Sequence, residues 1–157
     1  INFYNERRKQ LLDVEPNAGH IGLAELEKDF NVTVVTQNVD NLHERAGSTH
    51  VIHLHGELTK VCSTRDPYNP RYVRELKPEE YEVKMGDKAG DGSQLRPIIG
   101  TSLNVYPAAG LLNYVPRTAE VYLIDPKPVD THSMRQIHVI QKGASEGVKE
   151  LTKELLR

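Results

Sequence analysis

Val32-Thr-Val-Val-Thr36, running straight into Gln37-Asn-Val-Asp-Asn-Leu-His-Glu-Arg-Ala-Gly-Ser48, is the stretch that decides how this chain reads. The first five residues are all β-branched, which marks a strand apolar enough to be central in a sheet. Leu42 to Ala46 reads as a short helix ending at Gly47. In an open parallel sheet, ligands bind beyond the carboxyl ends of strands, and Gln37, Asn38 and Asp40 fall at such an end. Their amide and carboxylate groups suit ribose hydroxyls and a carboxamide. A polar strand-to-helix loop, with Asn38 or Asp40 merely capping the short helix, is an equally good reading of the spacing.

Outward from this run, the pattern alternates. Phe3 to Leu12 reads as a helix, and Pro16 as the opening of a second one marked by Ile21, Leu23, Leu26 and Phe30. His50-Val-Ile-His-Leu54 is a second strand. Ile98 to Ser102 is a strand running into a glycine turn, Ala108 to Tyr114 a helix, Glu120 to Ile124 a strand and Gly147 to Leu155 a terminal amphipathic helix. Between Leu58 and Pro97 the character changes to turn-rich sequence, where only Pro78 to Met85 looks helical. Helices alternating with apolar strands argue for an α/β parallel sheet. The domain expectation is therefore one α/β domain over 1–57 and 98–157, with a small inserted module over 58–97.

At 157 residues the chain fits one domain and can bury about 68–70% of its unfolded surface. Apolar residues make up 38% and charged residues 27%, a soluble globular composition. Twenty basic against twenty-two acidic side chains leave a net charge of −2, so no electrostatic footprint for nucleic acid follows. The basic cluster Arg7, Arg8 and Lys9 reads as a solvated helix face. One cysteine, Cys62, excludes an internal disulfide and a zinc site built on paired cysteines. No apolar run approaches a membrane span, and no signal peptide is visible. A cytoplasmic setting and a monomeric state are the expectations, with no nucleic acid or membrane partner.

Three further constellations bear chemistry. His53 and His55 share a strand face. They suit a metal pair, a lone general base near neutral pH, or hydrogen-bonded core histidines, the last being the favoured reading for an arbitrary strand. Gly56 would let a substrate approach the backbone. Gly100-Thr101-Ser102, at a strand end, offers N–H and hydroxyl donors to a pyrophosphate, although many turns look alike. Tyr4 and Arg7, at spacing i, i+3, lie on one helical face, where phenol and guanidinium would clamp a small carboxylate. An ordinary exposed helix carrying Arg7, Arg8 and Lys9 is the favoured reading of these residues by themselves.

Taken together these pieces resemble the sirtuin family, the NAD-dependent lysine deacylases. Thr36–Gly47 resembles its T-Q-N-x-D-x-L-H-x-x-A-G run, His55-Gly56-Glu57 its H-G-E/S element, and Gly100 to Pro107 its G-T-S-x-x-V-x-P. The resemblance implies a Rossmann-like parallel sheet with helices on both faces. It implies NAD as cofactor, acylated lysine side chains of proteins as partners, and His55 as catalytic base. Gln37, Asn38 and Asp40 would meet the nicotinamide ribose and form the nicotinamide pocket. Gly100, Thr101 and Ser102 would hold the cofactor near its phosphates and ribose, Ala144 its adenine end, and Val105 would touch the acyl-lysine. The implied reaction starts with attack of the acyl oxygen on C1′ of the nicotinamide ribose. The base then activates a ribose hydroxyl, and free lysine and O-acyl-ADP-ribose are the products. His43 is assigned to support of the fold. Phe3-Tyr4-Asn5-Glu6-Arg7-Arg8 resembles the bacterial and mitochondrial class whose Tyr-x-x-Arg pair favours succinyl and malonyl groups, which implies a desuccinylase or demalonylase that retains deacetylase activity.

The chain departs from that family in four ways. The family's glycine-rich G-A-G-x-S loop would precede position 1. A segment carrying a V-W-F-G-E-type strand would fall between Pro97 and Ile98. Both stretches are expected to belong to the protein and to be missing from the numbering. The four zinc cysteines are not there, so the inserted module is expected to lack structural zinc and to rest on its own packing or be flexible. Leu123 stands where the family often has an asparagine, and Asp125 is the candidate to take over the adenine ribose. Two other functions stay open: a metal-dependent hydrolase using His53 and His55 with Asp40, and a non-catalytic NAD or ADP-ribose-binding protein.

Overall fold

The β-branched run builds β1, Val34–Thr36, whose partner is β2, Val51–His53. The Val34 N–H donates to the His50 carbonyl and the Leu54 N–H to the Thr36 carbonyl, each at 2.9 Å. That stepping is the hydrogen-bond pattern of a parallel pair. The structure, a computed structural model, describes residues 2–99, 108–128 and 137–157. The described residues divide into two compact units. One is drawn from Ile1–Glu15, Val35–Asn41 and Ile52–Leu103, and the other from Pro16–Val34, Leu42–Val51 and Asn104–Arg157.

In the first unit, α1 (Asn2–Gln10) packs against a three-stranded antiparallel sheet. Its strands are β3 (Gly56–Ser63), β4 (Arg74–Glu75) and β5 (Leu95–Ile99), in the order β4-β3-β5. Val61, Leu76, Tyr81, Val83 and Leu95 form the core, with Ala89 against them. The β3–β5 register is broken. Gly56 and Glu57 pair with Ile99 and Ile98, but Pro97 pairs with Val61, so Leu58 to Lys60 lie outside that ladder, as in a bulge. At the far end Ser63, fully buried, is a polar hub. Its hydroxyl meets Asp91 Oδ2 at 2.6 Å and Ser93 Oγ at 2.7 Å, and accepts from the Arg65 and Asp66 N–H groups at 3.0 Å each. The Ser63 hydroxyl, helped by the hydroxyl and N–H of Ser93, holds the Asp91 carboxyl down to about 2, against an ordinary 3.8.

In the second unit, α2 (Ala18–Leu26) packs on α4 (Ala144–Leu155), and β6 (Tyr122–Ile124) runs parallel to β7 (His138–Ile140). Asn17 caps α2, accepting from Gly19 and His20, while His20 Nδ1 accepts from the Asn17 N–H. α3 (Leu42–Ala46) links β1 to β2 and ends at Gly47, whose φ is 108°. Close packing rests on missing side chains: a Cβ at Gly147 would lie 2.2 Å from Ile124 Cγ2, and one at Gly22 2.7 Å from Val148 Cγ1.

The structure differs from the sequence expectations at several elements. Pro16 sits one residue before the cap of α2, not within the helix. Pro78 to Met85 is not helical beyond the single turn Pro78–Glu80. Past that turn Tyr81 and Val83 both enter the core on either side of exposed Glu82. Ala108–Tyr114 winds as a 3-10 helix. β5 begins at Leu95, three residues earlier than the apolar run suggests, because Leu95 pairs with Ser63. β3 and β7 are strands the sequence reading passed over.

Two outcomes follow for stability. A carboxyl whose folded pKa is depressed adds stability that is present above 3.8 and lost as pH falls through about 2. Acid titration of the thermal midpoint should therefore fall more steeply for the wild type than for Asp91→Asn across that window, and parallel curves would contradict the hub. Gly56 has a φ of 87° at the turn from β2 into β3. Gly56→Ala should cost about 1–2 kcal/mol, read as a thermal midpoint lowered by about 2–8 °C; an unchanged midpoint would show that the turn tolerates a side chain.

Candidate active site

β1 ends at Thr36, whose Oγ1 accepts from the Asn38 N–H at 3.0 Å. That bond turns the chain off the strand and presents Gln37 and Asn38 as exposed side chains, with Asp40 half-buried behind them. His55 lies two residues beyond β2, half-buried, with its Nε2 3.4 Å from Gln37 Oε1. His53 turns Nδ1 to the Asn38 carbonyl at 3.0 Å. The two imidazoles thus serve different partners within one polar cluster. The Val39 carbonyl accepts from the Leu58 N–H at 2.7 Å, which ties the cluster to β3.

Asn41 Oδ1 is buried and has no hydrogen-bond partner among the described residues. A buried acceptor of that kind calls for a donor, and a carboxamide N–H is one. Exposed amides, a carboxylate and an imidazole at the end of a parallel strand suit a ligand that bears a carboxamide and sugar hydroxyls. The chemistry available is hydrogen bonding to hydroxyls and proton transfer at one imidazole.

Gly100, Thr101, Ser102 and Val105 lie outside the described residues. Tyr4 is half-buried and Arg7 exposed on α1. The Arg7 guanidinium lies 5.3 Å from the centre of the Phe3 ring, and its Nη1 donates to Gln10 at 3.0 Å. Asp125 follows β6 in the second unit, and its Oδ1 accepts from the Lys127 N–H at 2.7 Å. Ala144 opens α4 in the same unit. There His43 packs edge-on to His20, ring centres 4.6 Å apart.

The sequence reading misplaced Arg8. It is not part of a solvated basic face: it is fully buried, donating from Nε to the Leu58 carbonyl at 2.7 Å and from Nη1 to Asn5 Oδ1 at 3.0 Å. Burial pushes its guanidinium below the ordinary range, and the neighbouring Tyr81 opposes that shift. The available signal was the stripe Asn5, Arg8 and Leu11 at spacing three, which is the buried face of the helix.

Residues 1–97 match the model of the Sir2 family. A Bacteroides thetaiotaomicron protein named NAD-dependent protein deacylase is 71% identical, over 99% of this chain and 77% of its own length. A Helicobacter pylori protein of the same name is 41% identical over the same shares. The first alignment runs over 182 positions for a chain of 157 residues, so 25 or more of them have no counterpart here. A crystal structure of a Sir2 homologue–NAD complex superposes with a TM-score of 0.78 at 28% identity, covering 99% of this chain and 70% of that one. A Sir2 homologue–ADP-ribose complex gives 0.76 at 29%, covering 98% and 72%. The fold is α/β and Rossmann-like, and this chain belongs to the Sir2 family.

Proposed function

We infer that this chain removes acyl groups from lysine side chains of proteins in an NAD-dependent reaction. Relatives 71% and 41% identical carry the name NAD-dependent protein deacylase, and this chain spans most of their length. Gln37, Asn38 and Asp40 receive the nicotinamide-ribose end of NAD, and His55 is the general base. The observation that carries this assignment is the approach of His55 Nε2 to Gln37 Oε1, 3.4 Å, at the end of a parallel strand.

When bound, NAD supplies the ribose that takes up the acyl group and the nicotinamide that leaves. Gln37 steadies the His55 ring against rotation. A neutral imidazole is able to take a proton from a sugar hydroxyl. Asn41 Oδ1 offers the buried acceptor that a carboxamide requires. Gly100, Thr101, Ser102 and Ala144 remain the residues assigned to the rest of the dinucleotide, Asp125 to the adenine ribose and Val105 to the acyl-lysine. The 58–97 stretch is read as a module set into the 1–57 and 98–157 domain.

Tyr4 and Arg7 set the acyl preference. Arg7 is exposed and, among the described residues, its side chain holds a cation–π contact with Phe3 and one hydrogen bond to Gln10, the former worth about 0.5–1 kcal/mol at such a site. A distal carboxylate, bound through charge-assisted hydrogen bonds, outweighs that. Succinyl- and malonyl-lysine are therefore the preferred substrates, with acetyl-lysine accepted.

Two variants test this reading with succinyl- and acetyl-lysine forms of one peptide. His55→Tyr should lower acyl removal by about 100-fold or more, and a loss smaller than about tenfold would remove His55 from the role of base. Arg7→Met should lower the succinyl-to-acetyl ratio of kcat/KM by about tenfold or more, the value of a charged hydrogen bond. An unchanged ratio would sink the clamp.

A further inference from the structure

We propose that Asn5 and Arg8 are positioning residues for acyl selection: by docking α1 on β3 and on the strand-like segment at Val83, they fix the direction in which Tyr4 and Arg7 point. This rests on the clamp reading above and extends it to residues that touch neither acyl group nor cofactor.

The register break in β3 is the starting point. Leu58 lies between the two β3–β5 registers, so neither of its backbone polar groups is used by β5. Leu58 is 4% exposed, and buried backbone groups must find partners. Its N–H donates to the Val39 carbonyl at 2.7 Å and its C=O accepts from Arg8 Nε at 2.7 Å. One residue of β3 therefore holds the polar run of the cofactor pocket with one group and the acyl-side helix with the other.

Asn5 completes the dock. Its Nδ2 donates to the Val83 carbonyl at 2.8 Å, and its Oδ1 accepts from the Val83 N–H at 3.2 Å and from Arg8 Nη1 at 3.0 Å. The side-chain amide thus imitates a neighbouring strand. These bonds join positions 78 and 50 residues apart, and all the groups involved lie in the first unit. On a helix, Tyr4 and Arg7 each precede a docked residue by one position, about 100° around the axis. Fixing Asn5 and Arg8 therefore fixes the facing of the clamp.

Arg8 is held there at a cost. Its Nη2 is buried without a hydrogen-bond partner among the described residues, and an unpaired buried donor is destabilising. A leucine at that position would pack without this penalty, but it could not hold the Leu58 carbonyl and Asn5 together. A planar guanidinium does so through two nitrogens at fixed separation, which an ammonium cannot match.

The test uses the full chain with saturating NAD and the paired succinyl- and acetyl-lysine peptides, comparing wild type, Arg8→Lys, Arg8→Met, Asn5→Asp and Arg7→Met, with a thermal midpoint for each. The expected result is that KM for the succinyl peptide rises about tenfold or more in both Arg8 variants and in Asn5→Asp. Turnover of the acetyl peptide should stay within about threefold, since a small misplacement is costly only to the group that depends on it. Arg8→Lys should fail to rescue, although it keeps the charge. If Arg7→Met abolishes the succinyl preference while the Arg8 and Asn5 variants retain it, the clamp stands and the positioning role falls. Proportional loss of both activities in all three dock variants would equally overturn it, as the mark of a merely structural contact. If Arg7→Met leaves the preference unchanged, the clamp fails and takes this inference with it.

Discussion

The first unit depends on how Leu58 satisfies its two backbone groups. A buried N–H and C=O cannot be left without partners, and the bulge in β3 removes them from the ladder with β5. The Val39 carbonyl and the Arg8 guanidinium take their places. Val39 stands inside the run that carries Gln37, Asn38 and Asp40, and Arg8 stands beside Arg7. Moving Leu58 would shift the strand-end turn or the helix. Either shift would be felt where ångström placement matters.

The second unit solves a different problem. It uses small residues: Gly22 and Gly147 let helix meet helix and helix meet strand at distances a Cβ would forbid. Its ends are closed by a capping box at Asn17 and His20 and by Gly47. In the first unit, by contrast, the module is knit by Ser63, Asp91 and Ser93 at one end and by Asn5 and Arg8 at the other. The apolar core of Val61, Leu76, Tyr81, Val83 and Leu95 belongs to this unit too.

What could be read from the sequence was whatever depends on neighbours in the chain. The β-branched run at 32–36 and the five-residue helix Leu42–Ala46 declare themselves by composition and by Gly47. The ordered motifs through His55 to Glu57 were enough to name the family. What could not be read depends on distant partners. β3 looks like turn-rich sequence because its pairing with β5 lies 32 to 43 positions away (Ser63 with Leu95 at one end, Gly56 with Ile99 at the other). Tyr81 and Val83 look helical, but the helix stops after one turn and the core takes both side chains. Arg8 looks solvated beside Arg7 and Lys9: the stripe Asn5, Arg8 and Leu11 marks the buried face, but not that the Leu58 carbonyl, 50 residues on, needs a donor. Polar residues on a buried helix face are the hardest to read, because their burial is decided by the partner and not by the pattern.

The central claim is that the strand-end run from Gln37 to Asn41, with His55, receives nicotinamide. Titration of nicotinamide into uniformly 15N-labelled protein, followed by NMR, tests it directly. The side-chain amide signals of Gln37, Asn38 and Asn41 and the ring nitrogens of His55 should shift together along one saturation curve, while those of Asn69 and Asn113 stay in place. If the Gln37, Asn38 and His55 signals stay fixed while others move, nicotinamide binds elsewhere and the account is wrong.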